Sequence, residues 1–166
     1  MARTSIILVG CGKAKQTAPG WVGFAMDLYT GSLFQARKHF AQSSVKARSH
    51  DRWFIVSAKH GLTRSYQNLQ AYDLRISDLK PHERREWALD IAGELIYQRS
   101  LRTHEILDPA RTTISLHMGA DYVKYLAPVL EAVGFTTIWP VKGMSQGAQL
   151  QWYAGIRKLS GEVLSK

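Results

Sequence analysis

The chain has 166 residues, 45% of them hydrophobic, and 22 Lys or Arg against 13 Asp or Glu give a formal net charge of +9. That length and apolar content suit one α/β-sized domain spanning residues 1–166. No stretch reaches the roughly 18 apolar residues of a membrane span; the single cysteine excludes an internal disulfide and a Cys-rich zinc site, and no disulfide-linked partner is expected. The positive excess favours a polyanion as partner, nucleic acid first.

The opening, MARTSIILVG, has a short apolar run without a small-residue cleavage site, so no secretory leader is expected. Together with the lone cysteine this fits a reducing cytoplasm. Residues 5–9 (SIILV) are short, β-branched and bounded by breakers, the pattern of a buried strand. The loop that follows, Gly10-Cys11-Gly12-Lys13-Ala14-Lys15, admits three readings: a phosphate cradle, a cysteine nucleophile, or a tight turn with solvated lysines. It is not a P-loop, whose glycines are separated by four residues and followed by Lys and Ser or Thr. Its amides and Lys13 suit an anion. They also favour a Cys11 thiolate, for which His60 or His117 would be the base; the simpler alternative is a small cysteine packed at a strand end.

A helical pattern covers residues 32–42, with Leu33, Ala36, Phe40 and Ala41 on one face. A second buried strand, residues 53–57 (WFIVS), runs into Ser57-Ala58-Lys59-His60-Gly61-Leu62. Here Gly61 permits a sharp turn, Lys59 is a nucleophile if its pocket is dry, and His60 can move protons near neutral pH. The plain alternative is a surface Lys-His pair. Residues 63–80 have no clear period and read as a long connecting or functional loop. A helix is expected over 81–98, with Pro81 in its first turn, where a missing N–H costs nothing.

The third strand, residues 112–116 (TTISL), leads to His117-Met118-Gly119-Ala120-Asp121-Tyr122. Gly119 and Ala120 precede a helix over 122–133 whose free N–H groups suit an anion. Asp121 reads more simply as a cap, and His117 either faces the site or packs against the sheet. Gly134 ends that helix. After the fourth strand, residues 136–139 (TTIW), Ser145 is the expected N-cap of a last helix over 146–159. Gln146 and Gln149 lie in its first turn, where amides can read a base edge, and Trp152 is expected in the core.

The order β-α-β-loop-α-β-α-β-α predicts a single three-layer α/β domain with a mainly parallel four-stranded sheet flanked by helices. In such sheets ligands bind beyond the carboxyl ends of the strands, which gathers all four glycine-containing loops at one edge. Asp27 and Asp73 each neighbour a tyrosine, Tyr29 and Tyr72. A carboxylate there can act as general base or stabilise a sugar cation, and each tyrosine can stack on a base. The six histidines show no metal-ligand spacing, and no cofactor is implied.

The motifs VGCGKAK, DLYTGSLF, WFIVSAKHGL, AYD and GMSQGAQLQWY together resemble an uncharacterised bacterial and phage domain family. That family is distantly similar to the peroxide-stress DNA-binding proteins of bacteria and to domains found with deazaguanine-type DNA modification. The resemblance spans about residues 5–153, and SAKHGL is its most specific part. It implies DNA or modified bases as partners, DNA before RNA. It draws attention to Cys11, Gly12, Lys13, Asp27, Tyr29, Ser57, Lys59, His60, Tyr72 and Asp73. The expectation is an enzyme that cleaves the N-glycosidic bond of a damaged or modified base, flipped out or single-stranded. Lys59 or Lys13 would serve as amine or charge, Asp27 or Asp73 as base, and His60 as proton carrier. A basic DNA-binding domain without turnover, and a hydrolase or transferase of free nucleosides, are the alternatives.

Overall fold

The computed structural model describes residues 3–164, with side chains through Gly161. Its main sheet has five strands in the order β4-β3-β1-β6-β7. Four are parallel: β1 (Thr4–Gly10), β3 (Arg52–Ser57), β6 (Thr112–His117) and β7 (Thr136–Ile138). Each coincides with an expected strand to within a residue or two; in β1, β3 and β6 buried β-branched runs have no solvated alternative, while the exposed edge strand β7 rests on its β-branched residues alone. The sheet has one strand more than the sequence suggested. Gly61 adopts φ +66°, a left-handed turn open to glycine at no steric cost. It folds β4 (Gly61–Thr63) back antiparallel on β3.

The stretch read as a loop also holds β5 (Asn68–Gln70), which pairs antiparallel with β2 (Val22–Phe24) in a separate two-stranded ribbon, and a 3₁₀ turn over Ile76–Asp78. These pieces are three residues long, too short for any periodicity.

Helix α1 (Ala25–Leu28) is one turn. Helices α2 (Ser32–Lys46) and α5 (Gln146–Leu164) pack together on one face of the sheet, and α3 (Pro81–Ile96) and α4 (Ala120–Val133) on the other. Pro81 opens α3 as expected, and the Glu83 carboxylate accepts the Lys80 N–H at 2.6 Å, closing its first turn. Gly134 ends α4 with φ +113°. The α3/α4 face holds Ile6, Leu8, Phe54 and Val56 of the sheet against Ile91, Leu95, Leu126 and Leu130. The opposite face holds Ile7, Val9 and Ile55 against Leu28, Tyr29, Phe34 and Ala41.

The chain leaving β1 goes to α2 on one face, and the chain leaving β6 goes to α4 on the other. The carboxyl ends of β1 and β6 are neighbours, so a crevice opens between them, the place where open α/β sheets bind ligands. No helix among the described residues is long and apolar enough to cross a membrane.

Candidate functional site

The crevice has a volume of about 210 Å³. Cys11, Gly12, Lys13 and Lys15 of the first loop form one wall. Asp121 and Tyr122 at the start of α4 form another, and Asp73, Leu74 and Arg75 close the third. Tight packing beneath it depends on Gly10, where a methyl group would sit 2.6 Å from the Met118 Cβ. No side chain longer than hydrogen lets these two strand ends meet so closely. At Gly12 an added methyl would meet only ordinary contacts, so of the two loop glycines Gly10 is the one that space demands.

The Cys11 thiol lies 3.0 Å from the Tyr122 hydroxyl and is half-buried. Burial, and then the charge Cys11 would carry, push the Tyr122 pKa up, so the phenol stays neutral. Of the two histidines expected as a base for Cys11, His60 lines the neighbouring cleft, and the expectation of His117 is corrected. His117 is fully buried, and its ring nitrogens are engaged by Ser115 Oγ at 2.9 Å and Tyr153 Oη at 2.7 Å. It faces α2 and α5, since side chains alternate along a strand and Leu116 faces the other way. Burial, then Arg37 and His50, push its pKa down to about 3, and it lines neither this crevice nor the cleft beside it.

A second cleft of about 310 Å³ lies beside the first, with Leu74 in both walls. Lys59, His60, Gly61 and Trp87 line it, together with Glu83, Glu86, Asp90 and Glu94 of α3. The turn that carries Lys59 and His60 is pinned from below. Ser57 is fully buried, and its Oγ accepts the Lys59 and His60 backbone N–H groups at 3.2 and 3.1 Å. The same oxygen lies 2.7 Å from Tyr72 Oη, which lies 2.7 Å from Tyr29 Oη. The Trp87 indole donates to the Ser57 carbonyl at 2.9 Å. Burial pushes the Tyr29 and Tyr72 pKa values up, so this hydroxyl chain is uncharged.

Tyr72 is the hub of the region. The Lys15 and Lys59 ammonium groups stand 4.7 and 5.7 Å from its ring centre, and the His60 ring meets it edge-on at 5.3 Å. Desolvation, then Lys59, lower the His60 pKa, so the imidazole is neutral near pH 7.

Several expected roles change here. Tyr29 is fully buried against Phe34 and Tyr72 and has no face left for a base. Ser57 holds the turn rather than a ligand. Lys59 and Lys13 are both exposed, so neither has the dry pocket that an amine nucleophile requires. Asp27 is exposed on α1 and lines neither cleft. Gly119, not Asp121, is the N-cap of α4, which leaves Asp121 at the second helical position in the crevice wall. Ser145 caps α5 by accepting the Ala148 N–H at 3.2 Å, while the exposed Gln146 lines neither cleft. Cys11, Gly12, Lys13 and Asp73 do meet in one crevice, and Lys59 and His60 sit together in the next.

Tyr122, Arg75, Lys15 and Arg37 were not among the expected site residues. Arg37 is buried on α2, donates to Gln149 Oε1 at 2.9 Å, and has no partner for its Nε. Burial lowers its pKa, while Tyr153, Cys11 and Tyr122 act electrostatically to raise it. A cation so placed, with Gln149 rather than a carboxylate as its bonded partner, puts positive potential under the Gly10–Cys11 turn. The signal was present in the sequence: Phe34, Arg37 and Ala41 share the buried stripe of α2.

The chain matches a family of unknown function, DUF6884, over residues 6–155. It belongs to that family. The match includes every element from β1 into α5 and both clefts. No curated protein and no solved structure matches the chain. Among the described residues no group of three or more His, Cys, Asp or Glu is placed to hold a metal ion.

Proposed function

We propose that this protein is an enzyme acting on a damaged or modified nucleobase in DNA, cleaving its N-glycosidic bond. The observation that carries the reading is one small crevice with Asp73 on one wall, Tyr122 and a second carboxylate, Asp121, on another, and Lys13 and Lys15 on a third. Its 210 Å³ falls below the roughly 300 Å³ of a drug-sized pocket, which suits a single extruded base rather than a dinucleotide. The net charge of +9 and the resemblance to DNA-binding and modified-base families favour a DNA substrate.

In this scheme the base enters against Tyr122 and Cys11. Lys13, Lys15 and Arg75 hold the flanking phosphates. Asp73 orients a water molecule and takes its proton as the oxygen bonds to C1′ of the sugar. The glycosidic electron pair leaves with the base, whose developing negative charge lies near Lys15 until it takes a proton from solvent. With Lys13 and Lys59 exposed, the step runs by direct water attack and forms no Schiff base.

A second reading, binding without turnover, is favoured by the same lysines and arginine at the rim, since phosphate contacts require no chemistry. One experiment separates the two. Purified protein and Asp73→Asn are incubated with single- and double-stranded DNA bearing damaged and phage-type modified bases, and with free nucleosides, and products are read by mass spectrometry. A base released by the wild type and not by Asp73→Asn supports the enzyme. Release from free nucleosides alone makes it a nucleoside hydrolase. Salt-sensitive binding with no product supports the binding reading.

A further inference from the structure

The amino edge of the sheet carries a different concentration of charge. It lies about 20 Å from the crevice, the length of six strand residues at roughly 3.3 Å each. Turns following α2, β4 and α3 meet there and bring together Arg48, Arg52, Arg64, Arg99 and Arg102. Their proximity is seen in their bonds. Arg102 Nη2 donates to the Arg48 carbonyl at 2.6 Å, Arg52 Nη1 to the Arg99 carbonyl at 3.0 Å, and Arg99 Nη1 to the His104 carbonyl at 2.9 Å. Burial, and then the charge of Arg64, lower the Arg52 pKa.

Two acidic residues belong to this pole. Asp51 is buried and already bonded to Ser100 Oγ and to the Leu101 and Arg102 amides, with Arg102 Nε at 3.8 Å. Glu105 is exposed on the same turn as Arg102. The turns themselves are strained, since Arg48 and His104 take φ +60° and +62°, a region that L side chains enter at a cost. Like charges crowded on strained turns oppose folding, and nothing else in the cleft scheme uses them.

The guanidinium groups are also pre-set. Arg52, Arg99 and Arg102 are each tied to a backbone carbonyl through part of the five-donor fork, leaving the remaining donors for a partner, and Arg48 and Arg64 stand exposed beside them. Planar forks of this kind match phosphate oxygens. Beside them stand two exposed aromatic rings: Tyr66, 57% exposed and within electrostatic reach of Arg52, and Tyr97, 76% exposed at the end of α3. Exposed rings interleaved with fixed arginines form the stacking and backbone contacts of single-strand binding surfaces.

We propose that the amino edge of the sheet is a second binding surface, separate from the crevice, that holds the backbone of single-stranded nucleic acid through Arg48, Arg64 and Arg99 and stacks bases on Tyr66 and Tyr97. The surface needs no chemistry in the crevice. It gives a polymer a hold on the protein that a free nucleoside lacks.

The test uses the full chain and a fluorescently labelled oligothymidine, with anisotropy titrations over a range of salt. Arg48→Gln, Arg64→Gln and Arg99→Gln are combined; Arg52 and Arg102, whose bonds tie separate segments together, are left in place, whereas Arg99 is bonded only within its own turn, to the His104 carbonyl. Each single-strand phosphate contact contributes about 0.7 to the slope of log K on log salt. The triple variant is expected to lower that slope by about 2 and to weaken binding tenfold or more at low salt. Tyr66→Ala with Tyr97→Ala should weaken single-strand binding and leave duplex binding unchanged.

A wild type that fails to bind oligothymidine at low salt overturns the proposal, and so does a triple variant with an unaltered slope. Equal loss of duplex and single-strand binding in the tyrosine variant overturns the single-strand assignment. If the triple variant melts early, Arg48→Gln and Arg99→Gln alone should each lower the slope by about 0.7. Base release is scored separately. Its absence with the slope change intact rejects the crevice chemistry and keeps this surface; base release with no slope change does the reverse.

Discussion

The two faces of the sheet are built to different rules. Under α3 and α4 the core is apolar throughout: Ile6, Leu8, Phe54 and Val56 meet Ile91, Leu95, Leu126 and Leu130 with no buried charge. Under α2 and α5 the apolar cluster is smaller, and buried polar groups continue it: Arg37, Ser115, His117, Gln149 and Tyr153. The first face gains from burial alone. The second gives up some of that gain to desolvation, and its polar groups gather under the β1–β6 crevice. Stability is therefore expected to be concentrated on one face and site positioning on the other.

The largest effect should come from the apolar face. Leu95→Ala removes a fully buried side chain and should cost about 2–5 kcal/mol, read as a drop in the urea midpoint. A loss under about 1 kcal/mol would mean that the α3/α4 face does not dominate.

Next comes acid sensitivity of the polar face. His117 resists protonation in the fold until about pH 3, whereas its ordinary value is 6.5. Between those values the unfolded chain binds a proton that the native chain does not, so unfolding is favoured as pH falls. The stabilisation is complete above pH 6.5 and is lost on acidification toward pH 3, at up to about 1.4 kcal/mol per pH unit. The lowered pKa values of His50 and His60 act in the same direction. Thermal melts from pH 7 to 5 should fall, and His117→Gln should flatten the slope. An unaltered slope in that variant would place the acid sensitivity elsewhere.

Tyr72→Phe should cost less, about 1–2 kcal/mol, since it leaves Ser57 Oγ and Tyr29 Oη each short of one partner. Its sharper signature is local: faster hydrogen exchange at the Lys59 and His60 amides. Exchange as slow as in the wild type would show that Ser57 alone holds the turn.

What the sequence revealed divides along the same line. Strands β1, β3 and β6 were legible because burial on both faces demands continuous apolar runs, the exposed edge strand β7 because its residues are β-branched, and the loops after them followed from topology. Cys11, Gly12 and Lys13 line one crevice because loops at a sheet edge converge whatever their detail, and Asp73, singled out only as a carboxylate beside a tyrosine, reaches it from the 63–80 stretch. The polar face was not legible. Ser57, Tyr29 and His117 look like site residues by type, and only packing reveals that Ser57 and Tyr29 both bond to Tyr72 and that His117 is held by Ser115 and Tyr153. Strand β4 and ribbon β2–β5 were missed because three-residue pieces carry no period, and their pairing depends on contacts distant in sequence.

Arg37 gives the smallest expected change in stability and the most informative one. A buried arginine whose Nε lacks a partner has lost its hydration without full return, so replacing it with an apolar side chain of similar length is close to neutral or stabilising. Arg37→Met should melt within about 1 kcal/mol of the wild type, although Gln149 Oε1 loses a donor. If the cation sets the potential under the Gly10–Cys11 turn, base release or oligonucleotide affinity per folded molecule should fall about tenfold, which is about 1.4 kcal/mol of interaction. Arg37→Lys should keep part of that function while melting earlier, because a point charge cannot reproduce the guanidinium's reach to Gln149. A variant that unfolds like Leu95→Ala with function intact would erase the distinction between the faces. A stable variant with function lost would establish that the α2/α5 face keeps its buried cation for the crevice above it.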